Sequence, residues 1–225
     1  MPAPTWRELF KYPRSVVVTC LTSLSQIGGL GVALWTGAFV SIIKLAWDKI
    51  YYLVLGVSIA GLVGQFVMSY LSDAIGRRRS GILCGFGGAL ALALAGYFYD
   101  AFFETVSVFW LLLLVATFFG IGSLAIIWPY AAEVWPVGLR ASGLGLAYGT
   151  GTLGALLAPL GLGLIIGASS FLSPQATPAS VLPATLFLAG WYALAGFTWL
   201  FAIETAGRSI EEIDAALARP HAVGD

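Results

Sequence analysis

The chain has 225 residues and no formal net charge; 59% of the residues are hydrophobic and only 10% are charged. Soluble domains average about 25% charged residues, so this chain cannot cover a water-facing surface. The mean hydropathy of +0.92 therefore predicts a membrane protein. A neutral chain whose few charges occur in short runs is not typical of a nucleic-acid-binding protein. The two cysteines lie apart in apolar stretches and predict neither a disulfide nor a metal site.

Six apolar segments are long enough to cross a bilayer as helices, which takes about 20 residues each. The predicted spans are 16–43, 50–72, 80–99, 106–131, 141–168 and 181–203. The pattern predicts an all-α membrane protein with one six-helix transmembrane bundle. Residues 1–15 form a lead-in, either an interfacial helix or a disordered segment. In the tail, residues 204–225, apolar residues at helical spacing predict a short amphipathic helix.

The orientation in the membrane follows from where Lys and Arg fall. If the N-terminus is cytoplasmic, most basic residues lie inside: Arg7, Lys11, Arg14, Arg77, Arg78, Arg79, Arg140, Arg208 and Arg219. Only Lys44 and Lys49 then lie outside. This asymmetry satisfies the positive-inside rule. We therefore expect both termini to be cytoplasmic in a multi-pass protein of the cell (inner) membrane.

The loop between the second and third spans is the most informative stretch, and it lies within GQFVMSYLSDAIGRRRSG. A tight, charged reversal between two apolar segments cannot lie in hydrocarbon, and Gly76 permits the sharp turn. The loop resembles the signature loop of the major facilitator superfamily, whose members carry small solutes across membranes. The matching positions are Asp73, Gly76, Arg77 and Arg78. Ser69 and Ala74 depart from the family pattern.

Two further charged motifs resemble those of the sugar-porter branch of this superfamily. In AAEVWPVGLRASG, Glu133 and Arg140 are separated by six residues, as in the sugar-porter pattern. IETAGRSIEEID is similar to the family's terminal signature, through Glu204, Thr205, Gly207 and Arg208. The resemblance implies a network of charges that closes the cytoplasmic side, an inner gate formed by Asp73, Arg77, Arg78, Glu133, Arg140, Glu204 and Arg208. Each exposed pair is worth roughly 0–1 kcal/mol, so only a network can bias a conformational equilibrium.

Candidate solute contacts come from two apolar spans. SLSQIGGLGVALW resembles the seventh-helix signature of sugar porters through Gln26, Gly29 and Trp35, although Ser25 and Gly31 replace the usual Gln and Asn. GIGSLAIIWPYAAE places Gly122 and Trp128 where the tenth-helix pattern has a Gly and a Trp. A neutral amide is costly facing lipid and useful facing a hydrated cavity. The resemblance implies that the solute contacts are Gln26, Trp35 and Trp128; the tryptophans also suit simple packing.

The sequence GTGTLG satisfies a dinucleotide-binding fingerprint at Gly149, Gly151 and Gly154, but it lies inside an apolar span with no strand before it. Close helix packing is the better interpretation. The small residues Ala141, Gly145 and Gly149, four apart, predict the packing stripe.

The resemblance implies that the chain is the C-terminal half of a carrier working by alternating access. The expected cargo is a small organic solute, such as a sugar or an organic acid, moved by proton symport without a cofactor or metal. The expected partners are the lipid bilayer and either a missing N-terminal six-helix half or a second copy. A non-transporting scaffold or assembly partner and a self-sufficient homodimeric carrier remain alternatives. A membrane enzyme would need a catalytic constellation, and the sequence shows none.

Overall fold

The computed structural model describes residues 6–31, 50–104, 106–166, 178–208 and 212–213. In this part of the chain the α-helices are α1 Pro13–Gly29, α2 Ile50–Ile75, α3 Arg77–Tyr97, α4 Val108–Gly122, α5 Leu124–Glu133, α6 Arg140–Ile166 and α7 Pro178–Leu200. Two short 3-10 helices cover Trp6–Lys11 and Val137–Leu139. Two short strands, β1 Phe102–Phe103 and β2 Val106–Ser107, precede α4.

Five helical segments of the described chain are long and apolar enough to cross a membrane. They are Tyr51–Ile75, Arg77–Tyr97, Val108–Glu133, Val137–Ile166 and Pro178–Leu200. The third consists of α4 and α5, which meet at Ser123. The first predicted span, 16–43, begins in α1 and continues into residues outside the described part. The count of six spans therefore stays a prediction.

The all-α prediction needs one correction, because β1 and β2 form an antiparallel hairpin. Phe102 pairs with Ser107 and Phe103 with Val106. Aromatic and β-branched residues favour this extended conformation, and Glu104 in the turn has a φ of 54°. Residue 106, the predicted start of the fourth span, thus lies in a strand.

The helices pack most extensively in three pairs: α1 with α6, α2 with α4, and α3 with α7. Glycines permit this close approach of backbones. A Cβ added to Gly85 would collide with the backbone of Gly196, and one added to Gly154 would collide with the carbonyl of Leu24. Glycines on α3 and α6 therefore allow these helices to lie close to α7 and α1, respectively.

The predicted packing stripe on α6 is wrong in its register. A Cβ on Gly145 or Gly149 would have no described atom of another helix within 4 Å. The glycines that contact α1 are Gly151 and Gly154. Both sets of small residues fit a helical repeat, so the sequence alone could not choose between the two faces.

The core consists of two buried clusters, one at each end of the bundle. Phe109, Leu113, Leu188 and Tyr192 belong to the first. Met68, Ile126, Tyr130, Trp135 and Trp199 belong to the second. The second cluster supports the end of the bundle where α2, α5 and α7 finish and α3 and α6 begin, which we call the charged end.

Candidate functional site

The backbone of the turn between α2 and α3 requires a glycine at position 76. Gly76 has a φ of 102°, which residues with a side chain rarely adopt. A Cβ at this position would also collide with the carboxylate of Glu204. The turn places Asp73 at the end of α2 and Arg77 at the start of α3, four residues apart.

Arg77 lies at the centre of the charged end. Its Nη1 is 2.7 Å from Asp73 Oδ1, and its Nη2 is 3.2 Å from Glu133 Oε1. Nη1 also donates to Ser72 Oγ. One guanidinium therefore joins the end of α2, the start of α3 and the end of α5.

Glu204, in the segment after α7, bonds to backbone rather than to an arginine side chain. Its carboxylate accepts the backbone N–H of Arg77 at 2.7 Å and that of Arg78 at 3.2 Å. These are free donors in the first turn of α3, where Gly76 offers no side chain to cap them. α3 begins with three arginines, which oppose the helix dipole, so an acceptor carboxylate at this point stabilises the helix start.

Further hydrogen bonds hold the end of α7 and the segment after it against the bundle. Thr205 Oγ1 donates to Glu133 Oε2 at 2.6 Å. Arg78 Nη2 donates to the carbonyl of Leu200 at 2.6 Å. Arg14, in the first turn of α1, donates to the carbonyl of Phe201 at 3.1 and 3.2 Å. The end of α7 and the segment after it therefore bond to α1, α3 and α5 at the charged end.

Two residues of the expected charge network are only neighbours of it. Arg140 and Arg208 line an open cleft of about 310 Å³ together with Asp73, Arg77 and Glu133. Within the described part of the chain Arg140 forms no ion pair, and its buried Nε has no hydrogen-bond partner. Arg208 is exposed and bonds through its backbone N–H to the carbonyl of Thr205. Arg140 and Glu133 share the cleft without a direct bond.

Gln26 is completely buried in α1. Neither its side-chain oxygen nor its nitrogen has a partner among the described residues. The hydroxyls of Ser15, Thr19 and Ser23 on the same helix are also buried, and they too lack a partner in the described part of the chain. α1 thus carries a row of buried polar groups that ends at the predicted solute contact. Trp35, the second predicted contact, lies outside the described residues.

Trp128, the third predicted contact, is half-buried on α5 and packs against the core cluster of the charged end. Its ring lies 5.5 Å from that of Tyr148 on α6, with 33° between the planes. Sequence reasoning missed Tyr148, as well as Ser72 and the hydrogen bond from Thr205. The sequence feature that could have indicated Tyr148 is that it is a lone aromatic residue between two glycine-rich turns of an apolar helix.

Comparisons with known proteins identify a family and several similar proteins. The family model described as "Sugar (and other) transporter" matches residues 4–217. A probable polyol transporter 6 of Arabidopsis thaliana is 30% identical over 95% of this chain and 45% of its own length. A cis,cis-muconate transport protein of Acinetobacter baylyi is 26% identical over 64% of this chain and 34% of its own length.

The structure of the proton:xylose symporter XylE, a major facilitator superfamily protein, superposes with a TM-score of 0.66 and 21% identity. It covers 90% of this chain, and the match takes in 42% of the symporter. The fold is therefore that of the superfamily. The chain spans less than half the length of these relatives.

Proposed function

Because the chain belongs to the sugar (and other) transporter family of the major facilitator superfamily, we propose that it is one bundle of a two-bundle carrier. In such carriers the solute lies between two six-helix bundles that rock around it. The family is one of multi-pass membrane transporters, not enzymes. The observation that carries the proposal is the network around Arg77, which ties the ends of three helices to the segment after α7.

The charged end acts as a gate in this proposal. Its bonds hold the ends of α2, α5 and α7 together in one conformation of the carrier. When the bundles rock, some of these bonds break, so their summed free energy sets the balance between the two states. Asp73, Arg77, Arg78, Glu133 and Glu204 form the gate, with Arg140 and Arg208 joining it in the assembled carrier.

Gln26, Trp35 and Trp128 contact the solute in this proposal. A buried amide without a hydrogen-bond partner destabilises the folded protein by about 1–3 kcal/mol. A hydrogen bond from Gln26 to a solute hydroxyl or carboxylate would offset this penalty. The two curated relatives above are described as a probable polyol transporter and a cis,cis-muconate transport protein. We take the transported solute to be a small organic molecule such as a polyol or an organic acid. The similarity in fold to a proton:xylose symporter supports coupling to protons.

The second bundle is an N-terminal six-helix half, which the relatives' length supports. The gate faces the cytoplasm, as do both termini, and the carrier lies in the cell (inner) membrane. The basic residues at the charged end support this orientation, since Arg77, Arg78 and Arg79 open α3.

Co-expression tests the proposal. The chain is produced with and without a complementary N-terminal half in cells that lack uptake of polyols and organic acids. Uptake is expected only from the pair, because one bundle supplies half of the solute pocket. Gln26→Ala is expected to reduce uptake at least tenfold. Gln65→Ala, which removes the same side chain from a half-buried site on α2, is the matched control.

The outcomes separate the alternatives. Uptake by the chain alone in proteoliposomes, with a cross-linked dimer, would identify a homodimeric carrier. A stable complex that never moves solute, whatever stands at position 26, would identify a scaffold. Equal loss from both glutamine variants would remove Gln26 from the solute site.

A further inference from the structure

We propose that Arg14 is a positioning residue of the gate. It holds the segment after α7, residues 201–205, in the place where Glu204 reaches the first turn of α3, and it ties that segment to α1. The inference rests on the proposed function, since it adds a residue to the gate of the same carrier. Arg14 lies outside the charges that the family motifs predicted for this gate.

α7 ends at Leu200 without the residues that commonly end a helix. The sequence that follows, FAIETAG, has no proline and no glycine before Gly207. A glycine just past a helix often satisfies the last carbonyl groups, because it permits a left-handed turn. Two arginines bond to carbonyl groups at this end instead: Arg78 donates to Leu200, and Arg14 donates to Phe201. Their positive charge also suits the C-terminal end of a helix dipole.

Arg14 reaches the end of α7 from the first turn of α1. Its Nε and Nη2 lie 3.2 and 3.1 Å from the carbonyl oxygen of Phe201. Hydrogen bonds from a charged group are roughly twice as strong as those between neutral groups. Because the guanidinium is a rigid plane, two of its donors on one oxygen restrict direction as well as distance. Arg14 is therefore a directional anchor for the chain that leaves α7.

The residues just past this anchor bond to two other helices. The N–H of Ile203 donates to the buried hydroxyl of Tyr130 on α5, at 3.3 Å. Glu204 accepts from the first N–H groups of α3, and Thr205 donates to Glu133 at the end of α5. Three consecutive residues thus have separate partners, and all three partners are met only if the chain leaves α7 in one direction.

The chain between the anchor and the gate is short. Residues 202–205 form neither helix nor strand, so bonds to other elements fix their course. Glu204 follows Phe201 by three residues, which span at most about 11 Å when fully extended. A displacement of the Phe201 carbonyl is therefore carried to the Glu204 carboxylate, and the cap on α3 depends on Arg14 without touching it.

Arg14 and Arg78 hold the segment to different helices. Arg78 belongs to α3, the helix that Glu204 caps, so its bond stays within that pair. Arg14 belongs to α1, which also carries Gln26 twelve residues later, about 18 Å along the helix axis. In the described part of the chain, Arg14 is the side chain of α1 that bonds to this segment. A movement of the charged end of α1 would therefore pull on the gate.

The competing role for Arg14 is a helix cap that contributes only to overall stability. Loss of such a cap lowers the free energy of global unfolding, so the most protected amides of the bundle exchange faster together. Loss of a positioning residue frees Glu204 and exposes the first amides of α3 alone, because local opening needs less free energy than global unfolding. The two roles therefore differ in which amides respond.

Hydrogen exchange of single amides, read by NMR on the full chain in lipid nanodiscs, separates the two roles. Arg14→Met removes the donors and keeps an unbranched apolar side chain. Exchange of the Arg77 and Arg78 amides is expected to rise about three- to tenfold. Exchange at Leu92, buried further along α3, should not change. Arg14→Lys keeps a charged donor and should restore part of the protection. Arg14→Gln replaces the methionine variant if that protein does not fold.

Two further variants control the measurement. Lys11→Met removes an exposed basic residue three positions before Arg14, and exchange should stay at the parent rate. The Lys11 side chain bonds to no other residue in the described part of the chain. Glu204→Gln weakens the cap directly and should raise exchange at Arg77 and Arg78. Adding Arg14→Met to that variant should change little, because residues that act through one contact are not additive.

Several results would overturn the role of Arg14: unchanged exchange in Arg14→Met, an equal rise at Leu92, or an equal rise in Lys11→Met. A full additional rise when Arg14→Met is combined with Glu204→Gln would also overturn it. Exchange is read without solute or uptake, so the two proposals fail separately. Uptake by the assembled pair, with unchanged exchange in Arg14→Met, would leave the carrier standing and remove Arg14 from the gate.

Discussion

At the scale of single residues, the two partners of Arg77 differ in their surroundings. The Arg77 side chain is 14% exposed, that of Asp73 is 67% exposed and that of Glu133 is 33% exposed. Ion pairs in water contribute little, so the Asp73 contact is the weaker of the two. Glu133 also accepts from Thr205, which makes it the acceptor shared by the bundle and the segment after α7.

We expect Glu133→Gln to slow transport by the assembled carrier while the equilibrium affinity for solute stays within about tenfold, or about 1.4 kcal/mol. The substitution removes the charge that pairs with Arg77, so the gate closes less firmly, but it does not alter the solute pocket. Initial uptake rates and equilibrium binding of the transported solute measure the two effects separately.

Asp100→Asn is the control, because Asp100 is an exposed carboxylate at the opposite end of α3. Loss of solute binding in a folded Glu133→Gln protein would place Glu133 in the solute site instead of the gate.

At the scale of helices, the close contact of α3 with α7 depends on glycine. Gly85 meets the backbone of Gly196, and Gly81 and Gly88 meet the rings of Trp199 and Tyr192. A backbone neighbour cannot move aside as a flexible side chain can. Gly85 is therefore the position where α3 and α7 leave no room for a side chain.

Gly85→Ala is expected to destabilise the protein by about 1–3 kcal/mol, as overpacking does in a tight core. Helix propensity favours alanine over glycine by up to about 1 kcal/mol, so the steric cost must exceed that gain. Gly190→Ala on α7 is the matched control, since a Cβ there would have no described atom of another helix within 4 Å. Thermal unfolding in detergent compares the two; equal midpoints would mean that α3 and α7 are not held at this distance.

At the scale of the whole molecule, α2 and α6 leave much of their apolar surface exposed. Large side chains such as Tyr70 and Leu164 are 77% and 85% exposed. Lipid and a second bundle both suit such a surface, and the relatives' greater length supports a second bundle on part of it.

The orientation of the molecule is testable with single cysteines, after Cys20 and Cys84 are replaced. Ala74 and Asp100 are exposed beside the start and the end of α3, at opposite ends of the bundle. In sealed cells an impermeant maleimide should label Asp100→Cys and should label Ala74→Cys only after lysis. The reverse pattern would place the charged end outside and contradict the proposed orientation.

The sequence by itself determined the class and the family of this protein. A shortage of charge excludes a water-facing surface, and motifs such as Asp73 to Arg78 are short and local, so their spacing is readable without coordinates. Membership of the sugar transporter family, predicted from these motifs, is confirmed by the match over residues 4–217. The resemblance of the charged motifs to those of the family predicted one network containing Asp73, Arg77 and Glu133, and in the structure Arg77 pairs with both carboxylates.

Only the tertiary structure decided which groups bond and which faces meet. Glu204 caps the backbone of α3 instead of pairing with an arginine side chain, because the turn at Gly76 brings free N–H groups to it. Gly154, not Gly145, contacts α1, although both fit the helical repeat. Tyr148 lies against Trp128 because α5 and α6 are neighbours, a contact between distant positions that spacing does not encode. Local patterns predict which segments are apolar helices and roughly where they lie, whereas the rotation of each helix about its axis follows from packing against all its neighbours.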